Sequence, residues 1–139
     1  MIRFEVTDYG YSIQAQVQYI GADLFIQLTG GSHPHIGTVT TYCKETADKQ
    51  VERFPSHSGR FHKDDVLADV LLEGIAELLP QNCVITSGVH VDSISQEQIT
   101  GAFEMTKELA HKIAFWLKNE KCSISHPRYQ NKKPNNNRV

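Results

Sequence analysis

The sequence lacks the features that mark several classes of protein. Its 139 residues contain no apolar run long enough to span a membrane, and residues 1–4 do not begin a secretory signal. The formal net charge of −2 leaves no excess of basic residues for binding nucleic acid or acidic membranes. Cys43, Cys83 and Cys122 form no CxxC pair, so neither a zinc knuckle nor a disulfide framework is indicated. We therefore expect a cytoplasmic protein with no nucleic-acid or membrane partner.

The first half of the chain has the pattern of an antiparallel sheet. Short turns at 8–11 and 21–23 separate stretches in which apolar and polar residues alternate or apolar residues follow one another. Four stretches are predicted as strands on these grounds: 3–7, 12–20, 24–28 and 36–43. The charged stretch 44–51 is predicted to face solvent or to form a ragged fifth strand.

Two amphipathic helices and one more strand follow. Apolar residues recur every three or four positions over 64–79, and acidic residues stand at the start of this predicted helix. The stretch 82–92 is apolar enough to be a central strand. A long helix is predicted over 96–119, where Ser95 and Gln98 fit a capping box.

This order of elements predicts an α+β fold, because strands come first and helices later. The expected architecture is a mostly antiparallel sheet with both helices on one face. Residues 1–119 are expected to form this single domain, and the polar residues 120–139 a mobile tail. Gln14, Gln16 and Gln18 make the second face of the sheet partly polar, so we expect that face to be solvated or buried in a dimer.

The most unusual stretch is Thr-Gly-Gly-Ser-His-Pro-His-Ile-Gly-Thr-Val at 29–39. Its glycines permit backbone angles and close approaches that a Cβ would forbid. Pro34 biases His33 toward an extended conformation, and His33 and His35 are then expected to point to the same side. If the strand at 82–92 lies beside this stretch, the two imidazoles can meet His90 and Asp92.

These residues are compatible with more than one kind of site. Imidazoles and a carboxylate suit zinc or iron(II), which makes His33, His35, His90 and Asp92 a candidate metal set. HxH alone is a weak pattern, and no HExxH helix pair accompanies it, so histidines that merely cap loops are the alternative.

A second possibility is a site for an anion such as phosphate. Backbone N–H groups at Gly30, Gly31 and Ser32 can form an anion nest, for which an ordinary glycine turn is the alternative. Further donors lie in the loop before the first helix: His57, Arg60, His62 and Lys63. Autonomous hydrolysis is not expected, because Ser32 lacks a nucleophile-elbow context and Cys43 and Cys83 fall within predicted strands.

Three motifs of the chain together resemble a known family. They are Gly-Ser-His-Pro-His-Ile-Gly at 31–37, His-Lys-Asp at 62–64 and Gly-Val-His-Val-Asp at 88–92. The family is the LpdD-like family, the small D subunit of gallate and related hydroxyarylic acid decarboxylases, described as a prenylated flavin chaperone. The resemblance runs from Tyr11 to Leu117. The family's middle loop reads Pro-Gly-His-Lys, whereas residues 55–63 here contain extra residues, which leaves the roles of His57 and His62 open.

The resemblance implies a non-catalytic helper that holds or delivers prenylated FMN, or FMN, for a UbiD-type decarboxylase. It also implies a fold similar to proteasome assembly chaperones, which commonly pair as homodimers. The residues expected at the cofactor are Gly30, Gly31 and Ser32 at the phosphate, with His33, His35, His62, Lys63, His90 and Asp92 around the pocket. The alternatives are a small His/Asp metal-dependent enzyme and a purely structural assembly chaperone whose loops dock a partner.

Overall fold

A computed structural model describes residues 1–56, 64–120 and 127–130 of the chain. Within these ranges the chain forms a six-stranded sheet and two α-helices, with a short 3-10 helix, Ala76–Leu78, after the first. The strands are β1 (Ile2–Asp8), β2 (Tyr11–Ile20), β3 (Asp23–Gly31), β4 (Thr38–Cys43), β5 (Asp48–Arg53) and β6 (Cys83–His90). The helices are α1 (Asp65–Ile75) and α2 (Gln96–Asn119). The predicted α+β class is confirmed.

The sheet is mostly antiparallel, in the order β1-β2-β3-β6-β4-β5. The exception is β6, which lies between β3 and β4 and pairs in parallel with β3 and antiparallel with β4. Because β6 separates β3 from β4, the chain that leaves β3 must cross the end of β6 before it enters β4. This crossing segment contains the unusual glycine- and histidine-rich stretch.

One face of the sheet is covered by the helices. α2 packs against β1 and β2, and α1 packs against β4, β6 and α2. Along β2, Ile13, Ala15 and Val17 are fully buried, whereas the glutamines between them are half-buried on the other face. The largest fully buried aliphatic side chains lie between the sheet and the helices: Ile13, Leu24, Ile26, Leu28, Leu71, Ile75, Ile85, Met105, Leu109 and Ile113. Among the described residues, no helix is both long and apolar enough to cross a membrane.

The predicted elements are present, with corrected bounds. The α2 bounds and its capping box are confirmed, since the Ser95 side chain accepts from Gln98 N and the Gln98 side chain accepts from Ser95 N. The strand predicted over 36–43 begins only at Thr38, because the residues before it cross over β6. Residues 57–63, 121–126 and 131–139 lie outside the described residues, so the mobile tail and the roles of His57, Arg60, His62 and Lys63 stay predictions.

The start of α1 is joined to β5 by a two-point ion pair. Arg53 Nε donates to Asp65 Oδ1 at 3.1 Å, and Arg53 Nη2 donates to Asp65 Oδ2 at 2.9 Å. Asp65 is 6% exposed. The hydrogen bonds from Arg53 hold the pKa of the Asp65 carboxyl below its ordinary value.

Acidification is expected to weaken the fold through Asp65. Because the pKa of Asp65 is lower in the folded chain than in the unfolded chain, its stabilisation is complete above the ordinary value of about 4 and is lost as pH falls through the lower folded value. Asp65→Asn should therefore cost about 1–2 kcal/mol at neutral pH and make the acid dependence shallower. Urea unfolding at neutral pH and at about pH 3 measures both effects.

The matched control is Asp69→Asn, which removes the ion pair between Lys49 Nζ and Asp69 Oδ1 on the same helix. Both side chains of that pair are about a third exposed, so the expected loss is within about 0.5 kcal/mol. Equal losses for the two variants, or an unchanged acid dependence in Asp65→Asn, would contradict the prediction.

Candidate functional site

Two parallel strands end side by side at one edge of the sheet. The last residues of β3 and β6, Gly31 and His90, are register partners there. We call residues 30–37 and 88–92 the carboxyl edge. In open sheets, ligands commonly bind outside the carboxyl ends of parallel strands where the connections diverge. Here the chain from β3 turns toward β4, whereas the chain from β6 turns toward α2.

The crossover loop, residues 32–37, is fixed to β6 at both ends by backbone hydrogen bonds. Ser32 N donates to His90 O at 2.8 Å, and Gly37 N donates to Ser87 O at 2.8 Å. Between these bonds the loop lies against Gly88, where a Cβ would overlap the carbonyl group of His35. Glycine is therefore required at 88 for the loop to approach β6 this closely.

The structure brings His33, His90 and Asp92 together at the carboxyl edge. His90 Nε2 lies 3.0 Å from Asp92 Oδ1, and His33 Nε2 lies 3.4 Å from Asp92 Oδ2. The two imidazole rings are 5.4 Å apart between centroids, at an angle of 59°. One carboxylate thus bridges two imidazoles. We call these three residues the His33–His90–Asp92 cluster.

The cluster is open to solvent. The side chains of His33, His90 and Asp92 are 64%, 52% and 70% exposed. The hydrogen bond from His90 and, to a smaller extent, the one from His33 lower the pKa of the Asp92 carboxyl, so this group stays anionic. The carboxylate and the two imidazoles can together hold a cation through their lone pairs, or the imidazoles can present N–H donors to a polar ligand.

His35 does not join this cluster. Its Nδ1 is bonded to His33 O at 2.8 Å, and its Nε2 lies 3.5 Å from Asp64 Oδ2, so His33 and His35 face different carboxylates. The expectation that both imidazoles point to the same side is wrong, because the crossover loop bends around β6 and is not an extended strand. The four-residue metal set reduces to the three residues of the cluster.

One of the three amides of the predicted anion nest, that of Ser32, is already bonded within the protein. Gly30 and Gly31 are the last two residues of β3 and pair with Val89 and His90, and the Ser32 amide is bonded to His90 O. These residues therefore shape the edge through their backbone, and the Ser32 N–H is not available to an anion. That Gly30, Gly31 and Ser32 contact a cofactor stays a prediction.

Asp64 is a site residue whose role the sequence did not reveal. Its Oδ1 accepts from Val89 N at 3.1 Å and its backbone oxygen accepts from the Ser87 hydroxyl at 2.9 Å. With Oδ2 near His35, this one residue links the start of α1, the end of β6 and the crossover loop. An acid at a helix start is common for reasons of helix dipole alone, and the His-Lys-Asp motif at 62–64 marks Asp64 without indicating these contacts.

Two comparisons with known proteins find similar sequences. The sequence model of a family described as "Prenylated flavin chaperone LpdD-like domain" matches residues 7–118, which include the whole carboxyl edge. The chain is also 42% identical over 129 residues to Protein LpdD of Lactiplantibacillus plantarum, and the match covers 93% of this chain and 94% of that protein.

Proposed function

This chain belongs to the prenylated flavin chaperone LpdD-like family, and from that premise we propose that it binds prenylated FMN at the carboxyl edge and delivers it to a UbiD-type decarboxylase of hydroxyarylic acids. The observation that carries the proposal is the convergence of His33, His90 and Asp92 at an exposed edge. In this role the chain is an accessory protein and the chemistry belongs to its partner.

The donors of the carboxyl edge fit a flavin mononucleotide. The imidazoles of His33 and His90 can donate hydrogen bonds to phosphate or carbonyl oxygens, and the Asp92 carboxylate can accept one from a ring N–H. Ile36 and Ile94 lie in the two loops that carry His33 and Asp92, and they are 57% and 39% exposed. These apolar side chains offer contact to a flavin ring that bears a prenyl-derived group.

The cysteines of the described residues do not support catalysis by this chain. Cys83 is buried at the start of β6, and burial raises the pKa of its thiol to about 12. Cys43 lies at the end of β4, which runs antiparallel to β6 and therefore ends away from the carboxyl edge. Neither thiol is placed to attack a ligand held by the cluster.

Two further parts of the proposal concern assembly. We place the protein in the cytoplasm, beside the decarboxylase that it serves. We also propose that it acts as a homodimer, paired through the sheet face that the helices leave uncovered. Half-buried glutamines of β2 lie on that face and can exchange hydrogen bonds across an interface.

The test is binding and transfer of the cofactor. The full chain is mixed with prenylated FMN, passed through a sizing column and examined by absorbance and mass for retained flavin. We expect about one flavin per chain, and affinities at least about 10-fold lower for His33→Ala, His90→Ala and Asp92→Ala, since each loses a hydrogen bond to a polar ligand. Loaded protein should then activate an apo-decarboxylase.

The matched control is His111→Ala, which removes an exposed imidazole from α2, outside the carboxyl edge. It should bind flavin as well as the unaltered chain. Failure of the unaltered chain to retain prenylated FMN or FMN would overturn the proposal. Normal capture of the decarboxylase without any flavin affinity would favour the purely structural chaperone.

A further inference from the structure

We propose that the His33–His90–Asp92 cluster is a binding site for a divalent first-row transition metal ion. The three residues supply two imidazole nitrogens and one carboxylate oxygen, and one ligand atom from each lies within 4.8 Å of the others. Two histidines and one carboxylate are a ligand set that suits zinc and iron(II). This proposal does not rest on the proposed flavin function.

The distances within the cluster are close to those of a coordination sphere. With metal–nitrogen and metal–oxygen bonds of about 2.0–2.2 Å, two ligands of a tetrahedral ion lie about 3.3–3.5 Å apart. The Nε2 atom of His33 lies 3.4 Å from Asp92 Oδ2, and that of His90 lies 3.0 Å from Asp92 Oδ1. The three ligand atoms lie within 4.8 Å of one another, so the exposed side chains must rotate inward to surround an ion.

The backbone segments that carry the ligands are joined to each other. His33 lies two residues beyond Gly31, and Asp92 lies two residues beyond His90, the register partner of Gly31. The hydrogen bond from Ser32 N to His90 O joins the residue before His33 to the ligand His90 itself. A preformed arrangement of this kind lowers the conformational cost of binding an ion.

The exposure of the cluster indicates the type of site. Three protein ligands leave at least one coordination position for water or another oxygen ligand, as in sites that exchange ligands, whereas structural zinc sites are closed by four protein ligands. All three side chains are more than half exposed, so that position faces solvent. The open position would accept an anionic oxygen, which the carboxylate of Asp92 alone would repel.

The experiment is a metal titration of the full chain, purified without a histidine tag and freed of metal by a chelator. Calorimetry with Zn²⁺ and the visible absorption of added Co²⁺ measure binding in the absence of flavin. We expect one equivalent of metal per chain. His90→Ala and Asp92→Asn should each lower the affinity at least about 10-fold, because even losses outside the ligand sphere commonly cost that much.

His111→Ala serves again as the matched control and should bind metal like the unaltered chain. Because the three ligand side chains are exposed, the variants are expected to keep the thermal midpoint of the unaltered chain, and this is checked in parallel. The proposal is overturned if the unaltered chain shows no saturable metal binding, or if binding persists with similar affinity in both cluster variants. Flavin retention by metal-free protein is scored separately, so loss of either proposal leaves the other standing.

Discussion

Gly31→Ala is expected to lower the free energy of unfolding by about 2–4 kcal/mol, for two reasons that add. Gly31 has a φ of 77°, which an L-residue adopts at a cost of about 1–2 kcal/mol. In addition, a Cβ at this position would overlap the carbonyl group of His90. That carbonyl also accepts the Ser32 amide, so it cannot move without disturbing the carboxyl edge. Thermal and urea unfolding measure the loss.

Gly21→Ala separates the two reasons. Gly21 has a similar φ of 63°, but no heavy atom of the described residues lies within 4 Å of a Cβ built there. Only the conformational cost should appear, about 1–2 kcal/mol. Gly31→Ala should also weaken ligand binding at the His33–His90–Asp92 cluster, whereas Gly21→Ala should not. Equal losses of stability in the two variants would show that the close contact with His90 is unimportant.

The elements could be predicted because their signals are local. The alternation along β2 and the recurrence of apolar residues along α2 depend only on neighbouring residues, and so does the capping box at Ser95 and Gln98. The prediction that 82–92 is a central strand is confirmed, but the two neighbours of β6 could not be predicted in this way. Its insertion between β3 and β4 depends on pairing between residues that are far apart in the chain. Apolar periodicity and turn residues are local patterns and do not indicate which distant strands pair. Similarity to proteasome assembly chaperones stays a prediction.

The same distinction explains the outcome at the site. The sequence predicts that His33 meets His90 and Asp92 if the strand at 82–92 lies beside the stretch 29–39. The parallel pairing of β3 with β6 places these two segments side by side. The conformation of the crossover loop depends on what lies beneath it. Because Gly88 admits the backbone of His35, the loop bends over β6, and His35 is directed to Asp64 instead of the cluster.

Asp64→Ala is expected to lower the free energy of unfolding by about 2–4 kcal/mol. The side chain of Asp64 is only 12% exposed, and its removal leaves the Val89 amide without the acceptor at 3.1 Å. The substitution also removes the carboxylate that lies 3.5 Å from His35 Nε2 in the middle of the crossover loop. We therefore expect faster hydrogen exchange at the Val89 amide and weaker ligand binding at the cluster, although Asp64 is not part of that cluster.

Asp64→Asn distinguishes the hydrogen bond from the charge. An amide oxygen can still accept from the Val89 N–H, so slow exchange at this amide should be preserved and about 1 kcal/mol lost. Any further weakening of ligand binding in this variant then reports the missing charge beside His35. If Asp64→Ala leaves exchange at Val89 and binding at the cluster unchanged, Asp64 does not couple α1 to the crossover loop. If Asp64→Asn is as unstable as Asp64→Ala, the negative charge matters more than the acceptor, because the two variants differ in the acceptor but share the loss of charge.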